Sequence, residues 1–505
     1  MKRPVPTAAA VLALGKVPGP DRFIRLLVNE RDWIGLALGC ANGMQDLLSL
    51  WIDAGSVHMA IGVSTEGIRL IVSLPLKRSG FPSVGKNHAP AIRLERTLQD
   101  IHGVKAQGLP DGRNWIDHGK WPSPPPDVKK GAARPDTYYA FLASEGEGLH
   151  QIPVGPVHAG IIEPGHFRFT ANGEAVVRLE ERLGYAHKGI GALCKGADIA
   201  TAARIAARIS GDSTVAYSYA YALAIEAALK WRPSPRAVLL RGIMAELERL
   251  SHHVNDIGAI CNDASVVVLH AHCTLLREDI LQIAAQCFGH RMIMDNIVPG
   301  GVAVDLSVEG ADAIEALLTR CITRFEAVVR VYDEAPSLQD RTVTTGIVSA
   351  ELAARFGAGG HVGRASGRAF DTRKAFPYSP YDKLDFNIAL HSEGDVDARV
   401  WIRIEEVRSS MALIRRMLKT LAPGPIMSPM PKGHGGEGAA MVESFRGDVF
   451  IALRLDDKGR LANFHARDAS CFQWPLLEAA IEGNIVADFP LCNKSFNCSY
   501  SGHDM

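Results

Sequence analysis

Trp121 to Asp136 reads W-P-S-P-P-P-D-V-K-K-G-A-A-R-P-D, a stretch that no helix or strand tolerates. Each proline fixes φ and removes a backbone donor, and the lysines and glycine between them offer no periodic apolar face. The chain must therefore build a core on either side of it. We expect a small α/β domain over residues 1–122, a Pro/Lys-rich linker over 123–149 and a large, mainly α-helical domain over 150–505 that begins with a short β-hairpin region, an α+β protein as a whole. At 505 residues and 47% hydrophobic content, both parts can bury sizeable cores.

Charge and cysteine usage narrow the partners. Lys+Arg and Asp+Glu are each 55, so the formal net charge is zero, and no basic block interleaved with aromatics suggests nucleic acid. The nine cysteines are odd in number, scattered and free of C-x-x-C pairs, which argues against a disulfide framework and for a reducing compartment. Lys2 and Arg3 precede the apolar run Ala8 to Leu14, but Pro4 and Pro6 interrupt it, and a secretory signal is not expected. No stretch approaches the roughly 18 to 20 apolar residues of a bilayer span. A cytoplasmic chain, held at the inner face of the cell membrane through other subunits, is the expectation.

Periodicity places the elements. Val57 to Val63 and Gly67 to Leu76 are apolar, β-branched runs with turn residues between them and read as paired strands, and Ile92 to His102 has helical spacing. Phe167 to Val177 alternates around Asn172-Gly173, which predicts a hairpin with a type I′ turn. Arg236 to Ile260 carries Leu240, Ile243, Met244, Leu247, Leu250, Val254 and Ile257 on one stripe, and Ala313 to Tyr332 and Ala398 to Leu421 look alike. Val215 to Leu229 is apolar on nearly every side and is expected to be a central buried helix.

Several blocks carry a resemblance. They are G-P-V-H-A-G-I-I-E-P-G-H-F at Gly155 to Phe167, L-G-Y-A-H-K-G-I at Leu183 to Ile190, A-E-L-E-R-L-S-H-H at Ala245 to His253 and V-P-G-G-V at Val298 to Val302. R-A-S-G-R-A-F-D-T-R-K-A-F-P-Y at Arg364 to Tyr378 and G-D-V-D-A-R-V-W-I-R-I-E-E-V-R at Gly394 to Arg408 follow. Together they resemble the 49 kDa subunit of respiratory complex I and the large subunits of energy-converting [NiFe]-hydrogenases, the hydrogenase-4 and formate hydrogenlyase group in particular. F-P-S-V at Phe81 to Val84, R-L-E-R-T-L-Q-D-I-H-G-V at Arg93 to Val104 and G-L-P-D at Gly108 to Asp111 are similar to the complex I 30 kDa subunit, with Thr97 in place of the second glutamate of E-R-E-x-x-D-x-x-G. Fusion of the two is typical of the hydrogenase-4-like group.

The resemblance implies a nickel site that this chain has lost. Arg208 to Tyr217 reads R-I-S-G-D-S-T-V-A-Y where the hydrogenases have R-x-C-G-x-C-x-x-x-H, and the tail F-N-C-S-Y-S-G-H-D-M stands for D-P-C-x-x-C-x-x-H/R. Ser210, Ser213 and Ser501 replace three thiolate ligands and only Cys498 remains, so no metal bound by this chain is expected: hydroxyls, barely ionised near neutral pH, do not hold soft metals. The sequence stops at Met505, short of the extension that hydrogenase maturation removes, which agrees equally with a protein that never loads nickel and with a mature sequence.

A quinone and proton site is the alternative that the resemblance implies. His158, Glu163 and His166 lie in the G-P-x-H loop, Asp256 matches an aspartate that buttresses the loop histidine, and the complex I tyrosine falls at Gly211, with Asp212 and Tyr217 offset from it. A histidine hydrogen-bonded to a carboxylate can pass a proton to a reduced carbonyl oxygen. Arg364, Asp371, Arg373, Asp395, Arg399, Arg403, Glu405 and Glu406 form a dense set of both signs. It is either a solvated face with i, i+4 pairs such as Asp395 with Arg399, or a buried proton-coupling chain.

The expected partners are an iron-sulfur subunit of the complex I 20 kDa type, whose cluster supplies electrons, antiporter-like membrane subunits, and quinone as substrate; nucleic acid is not among them. NADH oxidation falls to the complex, because this chain has no P-loop and G-A-G-G-H-V-G-R at Gly357 to Arg364 lacks the G-x-G-x-x-G order. Two alternatives stay open: a structural scaffold without redox role, and a true hydrogenase.

Overall fold

A computed structural model describes residues 16–17, 19, 22–78, 80–121, 139–433 and 435–505. The apolar run at Ala8 to Leu14 and most of the expected linker lie outside the described residues.

The N-terminal part is built on a five-stranded sheet in the order Lys16–Val17, Ile24–Leu27, Ile68–Pro75, Ser56–Val63, Asp46–Asp53, antiparallel except for the pairing of the second and third. Along Ser56–Val63, Val57, Met59 and Ile61 point into one core with Trp33 and Leu36 of the helix Glu30–Ala41 and Leu98 of the helix Ala91–His102. Its intervening Ala60, with Leu48, Trp51 and Ile71, packs against Met441, Phe450 and Ala452 of a second sheet from the C-terminal part. Burial on both faces is the reason these strands read as continuous apolar runs. The two halves are further joined by Arg454 to Asp53 at 2.8 Å, Arg368 to Asp46 at 2.8 Å and Ser49 Oγ to His465 Nε2 at 2.7 Å.

The E-R-T-L-Q-D motif has a structural role here. Buried Glu95 accepts from Ser83 Oγ, Val84 N and Gly85 N, and Asp100 accepts from the backbone of Trp115, Ile116 and Asp117, so each carboxylate ties down a loop that would otherwise bury unpaired N–H groups. Arg96 donates to the carbonyls of Arg113 and Asn114.

After the linker, Leu149–Val154, His166–Asn172 and Ala175–Arg182 form a three-stranded antiparallel sheet, one strand more than the hairpin expected. Its turn differs too: Asn172 pairs with Ala175, so Gly173 and Glu174 are the central residues, and among these Gly173 has the positive φ (58°). A type I′ turn needs positive φ at both central positions, and Asn172 is spent in the ladder.

The remainder is helical around the helix Thr214–Leu229, which is buried along nearly its whole length as its sequence predicts. It lies on the strand Gly436–Ser444 of a sheet completed by Gly447–Leu455 and Leu461–Arg467. Close approach demands glycine there: a Cβ at Gly438 would sit 1.8 Å from the carbonyl oxygen of Ala224. The long helix Pro235–Asp263, opened by the Ser234 cap and Pro235 at its first turn, packs between the helices Val267–Phe288 and Val396–Thr420. Its apolar stripe is buried as expected. So is the opposite stripe of Glu246, Arg249, His253 and Asp256.

Candidate functional site

Three of the blocks meet at one place. Glu163 Oε2 accepts from Ser501 N at 3.1 Å, Ser210 Oγ lies 2.8 Å from Ser499 Oγ, and Lys188 Nζ donates to the carbonyls of Arg208 and Ile209. The Gly155 to His166 loop, the Arg208 to Tyr217 turn and the C-terminal tail are thereby one assembly. Gly155 has φ of 77°, and a Cβ there would meet Gly165 O at 2.3 Å and the His158 ring at 2.6 Å, so only glycine closes the loop.

Within this assembly the expected acid–base pair is not formed. His158 Nε2 lies 2.8 Å from Gly165 O and pins its own loop. His166 Nε2 accepts from Arg168 Nε at 3.2 Å, which leaves Nδ1–H to donate to Gly155 O and makes this ring a neutral one, its pKa lowered chiefly by burial. Asp256 buttresses neither: its carboxylate is held by Arg403 Nε at 3.2 Å and by Asn497 Nδ2 at 3.0 Å.

A guanidinium stands beside Asp212 and Ser213 of the turn. Arg446, 3% exposed and stacked over Phe445, donates to both oxygens of Asp212 (2.8 and 2.5 Å), to Ser213 Oγ at 3.1 Å and to the carbonyl of Asn497. Ser210 Oγ donates to Asp212 Oδ1 at 2.8 Å. Against the upward push of burial, Arg446 holds the Asp212 carboxyl well below the usual carboxylate range. Cys498 is buried with Gln473 Oε1 at 3.9 Å, and burial pushes its thiol well above the ordinary value, so it is the protonated, weakly bonding form that is present. Ser501 is also buried. Three hydroxyls and one protonated thiol are poor ligands for a soft metal, so these side chains do not fit a thiolate-held nickel-iron centre.

A second group lies deeper, where Val396–Thr420 crosses Pro235–Asp263. Glu406 Oε2 is 2.6 Å from His253 Nε2, and its Oε1 bonds Arg364, which also reaches Glu443 Oε1 at 2.9 Å and Asp371 at 3.6 Å. Arg373 pairs with Asp371 at 2.6 Å and Glu246 at 2.9 Å. Glu246 accepts also from Tyr381 and Ser410 hydroxyls, both at 2.6 Å, and Arg249 lies at 3.3 Å from it and 3.4 Å from Glu406. These groups are at most 4% exposed, so the solvated-face reading fails for Arg364, Asp371, Arg373 and Glu406. Arg403 continues toward the first site through Asp256, with His361 Nε2 at 3.0 Å from its Nη2.

Three residues of the expected chain belong elsewhere. Asp395 is the N-cap of Val396–Thr420, accepting from Ala398 N at 2.8 Å and from Thr344 N at 2.7 Å, so it faces the helix start rather than Arg399. Arg399 instead donates to Ser495 Oγ and to the carbonyls of Gly394 and Gly346. Glu405 turns outward, its side chain 41% exposed and 3.1 Å from His391 Nε2. Sequence reasoning missed Glu246, Arg249, His253, Glu443 and Arg446. The first three recur at i, i+3, i+7 on one helix, a signal visible in the sequence but identical to that of a solvated stripe. The Gly357 to Arg364 stretch follows the helix Ala350–Arg355 and no strand, which removes the weak nucleotide signal.

Comparison with known proteins agrees with these blocks. A family model described as respiratory-chain NADH dehydrogenase, 49 Kd subunit, matches residues 263–434. The chain is 31% identical over 350 residues to a carbon monoxide-induced hydrogenase of Rhodospirillum rubrum, covering 69% of this chain and 97% of that protein. It is 28% identical over 454 residues to formate hydrogenlyase subunit 5 of Escherichia coli (86% and 79% covered). It is likewise 28% identical over 398 residues to an NADH-quinone oxidoreductase subunit of Phocaeicola vulgatus (74% and 77%). Among solved structures, a chain of the archaeal membrane-bound sulfane sulfur reductase, a respiratory membrane complex, shares the fold with a TM-score of 0.68 at 24% identity, covering 72% of this chain and 100% of that one.

Proposed function

Because the chain belongs to the family of the 49 kDa subunit of respiratory-chain NADH dehydrogenase and its hydrogenase-named relatives, we propose that it is a peripheral-arm subunit of a membrane-bound, complex-I-like oxidoreductase. In this reading it takes electrons from the cluster of an iron-sulfur partner of the 20 kDa type and delivers them to quinone beside the Gly155 to His166 loop, with no nickel-iron centre. NAD(P)H oxidation belongs to another subunit, and antiporter-like subunits carry the complex in the membrane. Among the described residues no helix is long and apolar enough to cross a membrane.

The observation that carries the reading is the meeting of loop, turn and tail with Arg446 among them. The five donors of Arg446 are already engaged by Asp212, Ser213 and Asn497, so what it offers is the positive field of a fixed guanidinium, which favours negative charge developing on a carbonyl oxygen as a quinone is reduced. Val157, Ile161 and Leu193 are 75%, 84% and 58% exposed on and near this assembly, which supports a protein partner covering it. The buried charges from Glu406 to Asp256 support proton delivery from behind the site.

Quinone-analogue binding to the assembled complex tests this. It weakens in His158→Ala and His166→Ala, which loosen the loop, and in Asp256→Asn, which releases Arg403 and Asn497; equal binding in all three removes the quinone reading. A scaffold without redox role is the second reading, favoured by one observation: Ser210, Ser213 and Asp212 are already satisfied within the chain. It predicts that Ser213→Leu leaves activity intact wherever assembly survives. Stoichiometric nickel in the purified complex, with hydrogen uptake, would restore the hydrogenase reading.

A further inference from the structure

The deep cluster is unbalanced. Among the described residues it joins four carboxylates (Glu246, Asp371, Glu406, Glu443) to three guanidinium groups (Arg249, Arg364, Arg373) by direct contacts, leaving one negative charge over among side chains at most 4% exposed. An uncompensated buried charge is costly, and the cheapest remedy is to bind a proton. Two places can take it. Glu443 faces Asp371, Arg364, Arg373 and Arg249 from three other segments, and burial with Asp371 pushes its carboxyl up to about 7. The second is the contact of His253 Nε2 with Glu406 Oε2 at 2.6 Å, across which a proton can be shared; burial lowers the ring's pKa, so the ring does not hold the proton alone.

The cluster also has a door. A cavity of about 340 Å³ under Val396–Thr420 has Asp371, Arg373 and Glu406 in its lining and the exposed Asp385, Asn387 and Arg416 at its rim. A space that size holds several waters. Protons therefore have an aqueous path from the surface to two of the cluster's carboxylates, each one guanidinium away from Glu443.

We propose that this cluster is a proton-loading site that binds one exchangeable proton, held between Glu443 and the His253–Glu406 pair and exchanged with solvent through the cavity under Val396–Thr420. The step is a protonation only: water entering from the cavity hands a proton to the Glu443 carboxylate, or to Glu406 and from its Oε2 to the facing His253 Nε2, with every guanidinium keeping its protons and no electron transferred. The inference rests on reading these residues as proton-coupling and adds where the proton sits and how it enters.

Infrared difference spectroscopy of the purified full chain reads it directly. Burial also raises the Glu95, Glu248 and Glu181 carboxyls, so the Glu443 band is isolated as wild type minus Glu443→Gln. The expected result is a protonated-carboxyl C=O band that shifts in D₂O and fades as pH rises through about 7. A flat difference spectrum on both sides of that pH overturns the proposal. Ala412→Trp at the cavity wall gives a second measurement on a chain that keeps Glu443: deuterium shift of the same band slows several-fold, and unchanged exchange overturns the entry route. If the band behaves as expected while proton uptake during turnover of the assembled complex is the same in Glu443→Gln and wild type, the loading site stands and the coupling role falls.

Discussion

Arg364→Met is the sharpest perturbation of the deep cluster. Methionine keeps much of the apolar stem and removes the cation. Arg364 is fully buried and bonds Glu406, Glu443 and the carbonyl of Phe370, with Asp371 at 3.6 Å. Breaking a buried pair by removing one partner costs about 3–5 kcal/mol, because the remaining charge is left uncompensated. Here the excess grows from one carboxylate to two, so the upper half of that range is expected where all four carboxylates are ionised. The cost must depend on pH. Without Arg364, Glu406 and Glu443 have folded-state pKa values raised above their unfolded ones. The folded variant then binds more protons than the unfolded chain, and its stability falls as pH rises. Urea unfolding followed by circular dichroism should give a loss near 4–5 kcal/mol at about pH 8 and a clearly smaller one at about pH 6. Arg364→Met/Glu443→Gln should recover about 0.5–3 kcal/mol of it, since the second change removes one of the two excess charges. A loss below about 1 kcal/mol, or one equal at both pH values, would refute the claim that these are buried, ionised partners.

Further outcomes follow from single contacts. Arg446→Met leaves Asp212 without its cation; Asp212 is 36% exposed, so solvent screening limits the loss to about 1–2 kcal/mol. Asp212 has a depressed folded pKa, so its contribution is present above the ordinary aspartate value and is lost as pH falls through the folded one; the variant should therefore differ from wild type near neutral pH and converge with it in acid. Gly438→Val places atoms inside the Ala224 carbonyl and should cost more than the 1–3 kcal/mol typical of overpacking, seen as loss of soluble protein or a lowered midpoint. Cys498 should resist alkylation in the folded chain and react once it is unfolded, which peptide mass spectrometry reads directly; rapid native labelling would contradict its burial and raised pKa.

What the sequence made legible follows from where each residue's partners lie. The helices at Arg236 to Ile260, Ala313 to Tyr332 and Ala398 to Leu421 were readable because an apolar stripe is a local pattern, and Val215 to Leu229 because an apolar helix must be enclosed. The sheet over Gly436–Arg467 was not read: Gly436 and Gly438 look like loop residues until a helix is known to lie against them, and burial on both faces erases alternation. The charges show the same limit in a sharper form. Asp395 and Arg399 at i, i+4 promise an ion pair, yet capping claims the aspartate, because the first N–H groups of a helix are local and always present. Glu405 and Glu406 are adjacent in sequence and differ wholly in environment, since on a helix neighbours in sequence face about 100° apart and here one turns inward while the other stays at the surface. Ser210, Ser213 and Ser501 stand where the resemblance implies cysteines, but the cation beside Ser213, Arg446, comes from a strand connection far along the chain and has no local signal. Asp212, Ser213 and this arginine form a unit: the guanidinium at 2.8 Å balances the carboxylate and donates to the serine hydroxyl. Returning cysteines to the three serine positions while Arg446 stays in place should therefore yield protonated thiols rather than a metal site. Thiol titration and metal analysis of that variant decide the point, and bound nickel would show that the arginine yields.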